Sequence, residues 1–337
     1  MTLSLNLQTL YNRISSYENI CVAYHKAVKG KQDRNEVIKF RNDFGANIHK
    51  LRMQLIDKCL NVGDYSFFSV YDPKPRDICA ASFSERVLHH AVMNICDPVL
   101  DSYAIYDSYA CRKGKGVPKA LLRSQRFVRR YGWYLKLDIR KYFDSIDHDI
   151  TMILLAKRFK DKDLLDLFAK LLGTYHTDRG KGLPIGNLIS QHLANFYLSY
   201  FDHWVKEVMR VKGYIRYMDD FILFGVKKSD LKWACLQVMG FLECELGLKL
   251  KSNKQLNRSC KGIPFLGYRV FPGKVQLSPR SKKRFIHKFR NYEKKQQHCE
   301  WSIDELVLRM GPLIEFTKHA DAFNLRRNII HNSRVSF

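Results

Sequence analysis

The feature that most restricts the fold of this 337-residue chain is a pair of adjacent acids between two apolar runs. Asp219 and Asp220 follow Tyr217-Met218, and the flanking residues 213–216 and 221–224 favour β-strands. This order predicts a β-hairpin with both carboxylates at its tip. Adjacent carboxylates repel each other unless a cation neutralises them, so the tip is a candidate metal site. Asp-Asp is also a common turn pair, and these four residues alone do not separate the two interpretations.

A third acid lies far upstream, at the end of another apolar run. Residues 133–139 favour a β-strand, and Asp138 lies near its end. A carboxylate at the end of a buried strand is costly unless it is paired or coordinated. On neighbouring strands, Asp138, Asp219 and Asp220 are candidate catalytic residues that hold two Mg²⁺ ions about 3.5–4 Å apart, with Mn²⁺ as a substitute. Ile139 would add only its backbone carbonyl as a ligand.

The chain is strongly basic. Its formal net charge is +25, from 58 Lys and Arg against 33 Asp and Glu. Hydrophobic residues make up 46%, which is enough for a packed core and excludes a disordered basic tail. Such a charge excess indicates a polyanionic partner, most simply nucleic acid, and binding that weakens steeply with salt. The alternative is a basic surface that only keeps the protein soluble.

Cysteine usage and hydropathy indicate the cellular compartment in which the protein is expected. Nine cysteines are scattered along the chain without a CxxC pair, so the sequence does not favour a zinc site. Their odd number and spacing are typical of reduced thiols, and we expect a cytoplasmic protein. No apolar run approaches the roughly 20 residues that cross a membrane. The first residues also lack the basic start and apolar stretch of a secretion signal, so we expect no membrane association.

Apolar residues recur at helical spacing over much of the chain, whereas shorter runs favour strands. Helices are expected within 5–60, 84–100, 149–172, 187–209 and 230–246 and from 278 onward, with a capping box at 302–305. Strands are expected at 133–139, 213–224 and 265–270. Because helices and strands do not alternate strictly in βαβ order, the favoured fold class is α+β.

Several motifs, in their order along the chain, resemble those of reverse transcriptases. They are Asp138 with Phe143, the segment 183–191 (Leu-Pro-Ile-Gly-Asn-Leu-Ile-Ser-Gln), residues 217–220, Lys254 and residues 265–268. Motifs in the right order are far more specific than any one of them. The resemblance covers residues 70–270 and implies a right-hand polymerase. Its parts would be an N-terminal helical extension at 1–65, fingers at 66–180 that include the palm strand 133–149, a palm at 181–272 and a basic helical thumb at 273–337.

The resemblance also implies a set of residues around the incoming dNTP. They are Lys74, Arg76, Phe143, Ile185, Gly186, Gln191, Met218 and Lys254. Arg76, assisted by Lys74, would grip the triphosphate with its planar guanidinium, and the Phe143 ring would lie under the sugar and exclude a 2′-hydroxyl. Gly186 would let the backbone approach the nucleotide because it has no Cβ, and Lys254 would face the leaving phosphate. The simpler interpretations are a core Phe and solvated surface cations.

Two basic segments are candidate nucleic-acid contacts. They are Arg112, Lys113 and Lys115 in a loop, and Lys282, Lys283, Arg284 and Lys288 in a helix of the expected thumb. Within that helix Phe285, Phe289 and Tyr292 form one stripe, which favours packing over base stacking. The cations would track a template RNA and the RNA/cDNA duplex, although loop charges are often only solvated.

One motif of this chain departs from the pattern of most reverse transcriptases, and this departure restricts the resemblance to one group within the family. Most reverse transcriptases carry Gln-Gly-x-x-x-Ser-Pro, where this chain has Ile185 at the Gln position and Gln191 at the Pro position. This variant, with the segments 71–76 and 107–116, resembles enzymes of diversity-generating retroelements. The resemblance implies copying of a template RNA into cDNA, misincorporation opposite adenines that diversifies a target gene, and a small basic accessory variability protein, expected to be oligomeric. Loss of a hydrogen-bonding side chain lowers discrimination between base pairs, so Ile185 and Gln191 are hypothesised to loosen fidelity. Lineage drift without any effect is the alternative.

Three other functions stay open at this point. The nearest is a group II intron-like reverse transcriptase, although the residues after Pro272 fit a thumb and leave little room for a maturation or endonuclease module. A defence-associated reverse transcriptase is the second. The third is a non-catalytic RNA-binding scaffold on a polymerase fold, and the intact acids at 138, 219 and 220 argue against it.

Overall fold

The computed structural model describes residues 9–71 and 75–331. In chain order the helices are α1 (Leu10–Ile14), α2 (Tyr17–Val28), α3 (Asn35–Asn42), α4 (Phe44–Ile56), α5 (Phe83–Tyr103), α6 (Val117–Arg130), α7 (Tyr142–Ser145), α8 (His148–Ala156), α9 (Lys162–Leu172), α10 (Leu188–Tyr197), α11 (Ser199–His203), α12 (Lys228–Leu246), α13 (Pro279–Gln297), α14 (Ile303–Lys318) and α15 (Phe323–His331). The strands are β1 (Tyr65–Tyr71), β2 (Pro75–Ala81), β3 (Trp133–Asp138), β4 (Gly213–Tyr217), β5 (Asp220–Gly225), β6 (Gln255–Arg258), β7 (Ile263–Phe265), β8 (Tyr268–Val270) and β9 (Val275–Leu277). A π-helical turn (Trp204–Val208) follows α11, and a 3₁₀ turn (Ser259–Lys261) follows β6. This mixture of helices and antiparallel strands confirms the α+β class.

The chain folds into two compact units, and each unit is made of several separate segments of the chain. The first unit contains the chain up to Cys111 together with 139–208 and 238–251, and the second contains 112–138, 209–237 and the chain from Ser252. The division into extension, fingers, palm and thumb uses other boundaries and stays a prediction.

In the first unit, helices pack around the long helix α5. α2 and α10 lie against it, and Val87 and Ala91 are completely buried there. α5 begins after Ser82, whose hydroxyl accepts the backbone N–H of Glu85. A serine at this position satisfies a backbone donor that the first turn leaves without an intrahelical partner. β1 and β2 form a separate antiparallel hairpin in this unit.

The second unit contains two antiparallel sheets, of order β4-β5-β3-β6 and β7-β8-β9. Successive side chains of a strand point to opposite faces. In β3 this alternation buries Leu135 and Leu137, whereas Lys136 and Asp138 are partly exposed. The face that carries Lys136 and Asp138 is therefore the one on which polar groups can meet.

The predicted hairpin at 213–224 is confirmed as β4 and β5, but the single strand expected over 265–270 is wrong. β7 and β8 are two strands joined by Leu266 and Gly267, with Phe265 paired to Tyr268. Both turn residues have positive φ, 52° and 86°, as a two-residue type I′ hairpin turn requires. A Cβ at Gly267 would lie 3.1 Å from the hydroxyl of Ser281. The apolar residues of 265–270 resemble one continuous strand, although Gly267 permits a turn between β7 and β8.

Helices α13 to α15 carry their own apolar core in the second unit. Phe285, Phe289, Leu306 and Met310 are buried together, and Tyr292 packs against them. The aromatic stripe of α13 is therefore packing, as the sequence favoured. None of the helices in the described ranges 9–71 and 75–331 is long and apolar enough to cross a membrane.

Candidate active site

The three predicted acids meet at one edge of the four-stranded sheet. The register of β3 against β5 pairs Asp138 directly with Asp220. On the other side of β5, Tyr217 pairs with Asp220, so Met218 and Asp219 form the two-residue turn of the hairpin. All three carboxylates are partly exposed. The hairpin tip and the end of β3 thus form one acidic edge, as the sequence predicted.

A lysine that the sequence analysis missed lies within this edge. The Lys136 ammonium donates to Oδ2 of Asp220 at 2.8 Å and to the backbone carbonyl of Pro264 at 2.8 Å. The side chains of the ion pair are only 16% and 22% exposed. Because Lys136 is two residues before Asp138 on one strand, strand alternation places both on the same face. That spacing is the signal that could have found it.

A buried arginine forms a hydrogen bond to the backbone of the hairpin turn. Met218 adopts a φ of 53°, which is uncommon for a residue with a side chain. Arg216 is completely buried, and its guanidinium donates to the Met218 carbonyl at 3.1 Å. This contact restrains the backbone next to Asp219. The predicted contact of Met218 with a nucleotide stays a prediction.

The acidic edge suits a divalent metal ion because its ligands would be carboxylate oxygens. These residues would not surround the ion on all sides. Within the described residues, no group of three or more His, Cys, Asp or Glu side chains is gathered as a metal site. However, carboxylates directly opposite each other repel, and oxygen ligands are those that Mg²⁺ prefers. Asp138, Asp219 and Asp220 would hold the ion, and their partial exposure leaves room for water and phosphate oxygens in its shell.

Two further predicted residues flank this edge along the chain. Ile139 belongs to the first unit, where its backbone bridges to Leu250 and its side chain is fully buried. Lys254 is exposed and precedes Gln255, which pairs with Lys136 across β3 and β6. The carbonyl ligand at Ile139 and the phosphate contact of Lys254 stay predictions.

In the first unit, backbone hydrogen bonds bring several predicted nucleotide contacts together. Leu183 donates its N–H to the Phe143 carbonyl at 2.8 Å, and Cys79 of β2 donates its N–H to the Ile185 carbonyl at 2.8 Å. Arg76 is exposed on the same strand as Cys79. Phe143, the loop at Ile185 and β2 are thus held as neighbours. Lys74 lies outside the described residues.

The structure explains the glycine at position 186 by its packing on β2. Gly186 has a φ of 120°, and a Cβ there would lie 2.8 Å from Cγ2 of Ile78 and 3.1 Å from the carbonyl oxygen of Cys79. Glycine is needed because the loop backbone passes directly over the strand. The close approach of a nucleotide to Gly186 stays a prediction.

Gln191 and Asn187 show how the following helix is attached. Gln191 is exposed, and its amide oxygen accepts from the Cys111 thiol at 3.7 Å. Asn187, which the sequence analysis missed, is buried, and its Oδ1 accepts the N–H of Ala81 at 3.3 Å. Asn187 therefore ties the start of α10 to the end of β2, next to the loop that carries Ile185.

The cysteine in this region is not a reactive thiol. Cys79 is buried, and burial, with Glu85 nearby, raises the pKa of its thiol to about 11. A thiol with so high a pKa stays protonated at neutral pH and is a poor nucleophile and metal ligand. Cys79 is therefore a packing residue of β2 rather than a candidate nucleophile.

The basic residues of α13 do not share one face. Arg284 and Lys288 line a cavity of about 260 Å³ between α13 and α14. Lys283 lies on another side of the helix and shares a shallow groove with Arg290 and Lys294. Lys282 lies beside Leu277 and Asp321. The four predicted contacts in this helix are thus divided among three surfaces.

The predicted loop contacts lie just before α6. Lys113 is exposed, whereas Arg112 and Lys115 are partly buried, and the Lys115 N–H donates to the Arg112 carbonyl at 3.2 Å. A role for these three residues in template binding stays a prediction.

Comparison with known proteins identifies the family. Residues 72–270 match the model described as reverse transcriptase (RNA-dependent DNA polymerase), and the chain therefore belongs to the reverse transcriptase family. It is 26% identical over 265 residues to the COX1/OXI3 intron 1 protein of Saccharomyces cerevisiae, covering 59% of this chain and 31% of that protein. It is 23% identical over 287 residues to the group II intron-encoded protein LtrA of Lactococcus lactis, covering 64% of this chain and 48% of LtrA.

The chain thus spans less than half the length of these two relatives. Among solved structures, apo telomerase from Candida tropicalis is similar over 67% of this chain and 52% of that chain, with 11% identity and a TM-score of 0.49.

Proposed function

We propose that this chain is an RNA-directed DNA polymerase that extends a primer on a template RNA. The observation that carries the proposal is the register of β3 against β5, which sets Asp138 opposite Asp220 beside the turn that holds Asp219. Membership of the reverse transcriptase family supports the same reaction. The net charge of +25 suits a nucleic-acid substrate.

In the proposed reaction a primer 3′-hydroxyl attacks the α-phosphate of a dNTP, and pyrophosphate leaves. Divalent metal held by the aspartates would lower the pKa of the hydroxyl and neutralise developing charge on the phosphates. The side chains of the protein position these groups and form no covalent intermediate. Asp138, Asp219 and Asp220 would bind metal, and Arg76 would bind the triphosphate.

Primer extension on an RNA template tests the proposal. Wild type should extend the primer with Mg²⁺, and Asp219→Asn should lower the rate by at least about a hundredfold because transition-state charge is no longer stabilised. Asp149→Asn is the matched control, since Asp149 is an exposed acid in the first turn of α8, and it should extend at the wild-type rate. Equal rates for both variants would exclude the metal role. RNA binding by wild type without extension would favour the non-catalytic scaffold.

We further propose that copying is error-prone at template adenines, as part of a diversity-generating retroelement. Ile185 and Gln191 support this, because they replace residues that most of the family carries. The Ile185 side chain is half-buried, and its backbone is held by Cys79. Sequencing of cDNA made on a template with all four bases tests the proposal. Errors should concentrate opposite adenines, and an even distribution would contradict it.

A group II intron-like enzyme is the alternative that the relatives favour, because one of them is named as a group II intron-encoded protein. Such an enzyme would show no preference for errors at adenines, so the same sequencing experiment separates the two. Search of the neighbouring genome for two near-identical repeats that differ mainly at adenines gives an independent answer.

The proposed partner for the retroelement function is a small basic oligomeric accessory protein, and the proposed location is the cytoplasm. Co-purification of this chain with the product of a short neighbouring gene tests the partner. Addition of that product should raise the yield of cDNA on the cognate template RNA and leave extension on an unrelated template unchanged.

A further inference from the structure

Lys136 connects the acidic edge to the second sheet of the same unit. One N–H of its ammonium donates to Oδ2 of Asp220 and another to the Pro264 carbonyl, both at 2.8 Å. The ammonium also lies 5.9 Å from the centre of the Phe265 ring. Pro264 and Phe265 belong to β7, so the lysine bridges the hairpin that carries Asp220 and a strand of another sheet.

This bridge fixes the position of one of the three acids. A lysine ammonium has three donors and no acceptor, and two of these donors are fixed here by one carboxylate and one carbonyl. The ion pair is largely buried, at 16% and 22% side-chain exposure, so solvent screens it less than a surface pair. The ammonium therefore holds the Oδ2 atom of Asp220 next to the Pro264 carbonyl of β7.

We propose that Lys136 is a positioning residue that holds Asp220 beside β7. The inference rests on the proposed polymerase function. Lys136 lowers the negative charge of the edge and fixes its shape. Together, Lys136 and Asp220 tie the hairpin to the strand pair β7 and β8.

Direct binding of Mn²⁺ to the protein without nucleic acid, followed by electron paramagnetic resonance, tests this separately from polymerisation. Lys136→Met removes a nearby positive charge, so Mn²⁺ should bind about three- to tenfold more tightly. Lys136→Arg keeps the charge and should bind Mn²⁺ within about twofold of wild type. Lys228→Met is the matched control, because Lys228 is exposed and lies 5.4 Å from the ring of Trp133, at the other end of β3. Its Mn²⁺ affinity should be unchanged.

Primer extension tests whether Lys136 acts through Asp220. Because Lys136 and Asp220 act as a unit, the Lys136→Met, Asp220→Asn double variant should extend primers no more slowly than the slower single variant. The kcat should fall in Lys136→Met with little change in the KM for dNTP, since the lysine is not expected to touch the nucleotide.

Two results would overturn the inference. They are unchanged or weaker Mn²⁺ binding by a Lys136→Met protein whose circular dichroism matches wild type, and additive effects in the double variant. Failure of the polymerase proposal would give a different result. Wild type would then bind Mn²⁺, and the Lys136 variants would show the expected changes in Mn²⁺ affinity, but no primer would be extended.

Discussion

Asp138 and Asp220 are direct partners across the antiparallel strands β3 and β5. Like charges directly opposite each other destabilise a strand pair, and the Lys136 ammonium offsets this at the Asp220 side. We expect Asp138→Asn to abolish primer extension, because it removes a carboxylate that would bind metal. Primer extension on an RNA template with Mg²⁺ measures this loss.

Mg²⁺ should also stabilise wild type more than it stabilises Asp138→Asn. A ligand that binds only the folded state stabilises it by an amount that grows with its concentration relative to Kd. Mg²⁺ should raise the melting temperature of wild type and leave that of Asp138→Asn unchanged. Asp149→Asn, the exposed control, should respond to Mg²⁺ as wild type does. An equal rise in the melting temperature of Asp138→Asn and wild type would show that Asp138 does not bind the ion.

The packing of Gly186 on β2 predicts a large effect from one methyl group. Ala at this position would adopt a φ of 120° and place its Cβ 2.8 Å from Ile78. We expect Gly186→Ala to destabilise the protein by about 1–3 kcal/mol because backbone strain and overpacking add. Thermal or urea unfolding measures it.

Gly240→Ala is the control for that prediction. Gly240 lies in α12, has no positive φ, and a Cβ there would meet nothing within 4 Å. Alanine in a helix interior is favoured over glycine by about 0.5–1 kcal/mol, so this variant should be slightly more stable than wild type. Equal behaviour of the two variants would mean that the loop at Gly186 can move off β2.

The acidic edge was predictable because its parts are local. The apolar runs around Asp219 and Asp220 determine a hairpin, and the run before Asp138 determines a strand, so only the order of the strands was missing. Lys136 was harder to predict, because one of its two partners is a backbone carbonyl, that of Pro264 in another sheet. No pattern in the sequence indicates such a contact.

Arg216 and Asn187 were missed for a related reason. Both are buried polar residues inside apolar segments, and each satisfies a backbone group, the Met218 carbonyl and the Ala81 N–H. Buried polar side chains are usually hydrogen-bonded, but the partner depends on tertiary contacts. The turn at Gly267 was missed because its flanking residues alternate as a strand does, although the glycine itself was a signal for a turn.

The outer side of α13 predicts the salt dependence of RNA binding. Lys283, His287, Arg290 and Lys294 recur at intervals of three and four residues, which places them on one face. If Lys283, Arg290 and Lys294 each contact one phosphate, replacing all three by Gln should lower the slope of log K against log salt by about 2–3. Filter binding at several salt concentrations measures the slope.

A charge elsewhere on these helices is the control for the salt experiment. Lys318 of α14 is exposed and paired with Glu315 at 2.8 Å, so Lys318→Gln should leave the slope unchanged. A change about one third as large as that of the triple variant would indicate that net charge alone determines binding. An unchanged slope in the triple variant would indicate that RNA contacts another surface of α13, such as the cavity that Arg284 and Lys288 line.

His90 predicts a loss of stability in mild acid. Burial, with Lys26, His89, Lys31 and His192 nearby, lowers the pKa of His90 to about 4, whereas an unfolded histidine titrates near 6.5. The unfolded state therefore takes up the proton first as pH falls, and the stability that neutral His90 contributes is lost between about pH 6.5 and 4. His90→Gln should lose less stability than wild type between pH 7 and pH 5.

Urea unfolding at the two pH values measures this difference, and His25→Gln is the comparison because His25 is exposed on α2. That variant should lose as much stability as wild type. An identical loss in the His90 variant would mean that other groups carry the acid sensitivity.

The side chain at position 185 is the most direct test of fidelity. The Ile185 carbonyl accepts the N–H of Cys79, so its backbone should keep its place when the side chain changes. Ile185→Gln restores the amide that most of the family carries, and an amide that pairs with the nucleotide favours correct over incorrect bases. We expect errors opposite template adenines to fall by about tenfold or more, which corresponds to about 1.4 kcal/mol of added discrimination. Sequencing of cDNA made by each protein on one template measures the error rate at every base.

The volume control is Ile185→Leu, which keeps an apolar side chain of equal size and should keep the wild-type error rate, since similar hydrophobic exchanges are well tolerated. A lower error rate in Ile185→Gln and not in Ile185→Leu would assign the effect to hydrogen bonding. An equal fall in both would assign it to altered packing against β2. Unchanged errors at adenines in Ile185→Gln would reject the link between this residue and fidelity, and would leave Gln191 as the departure to examine.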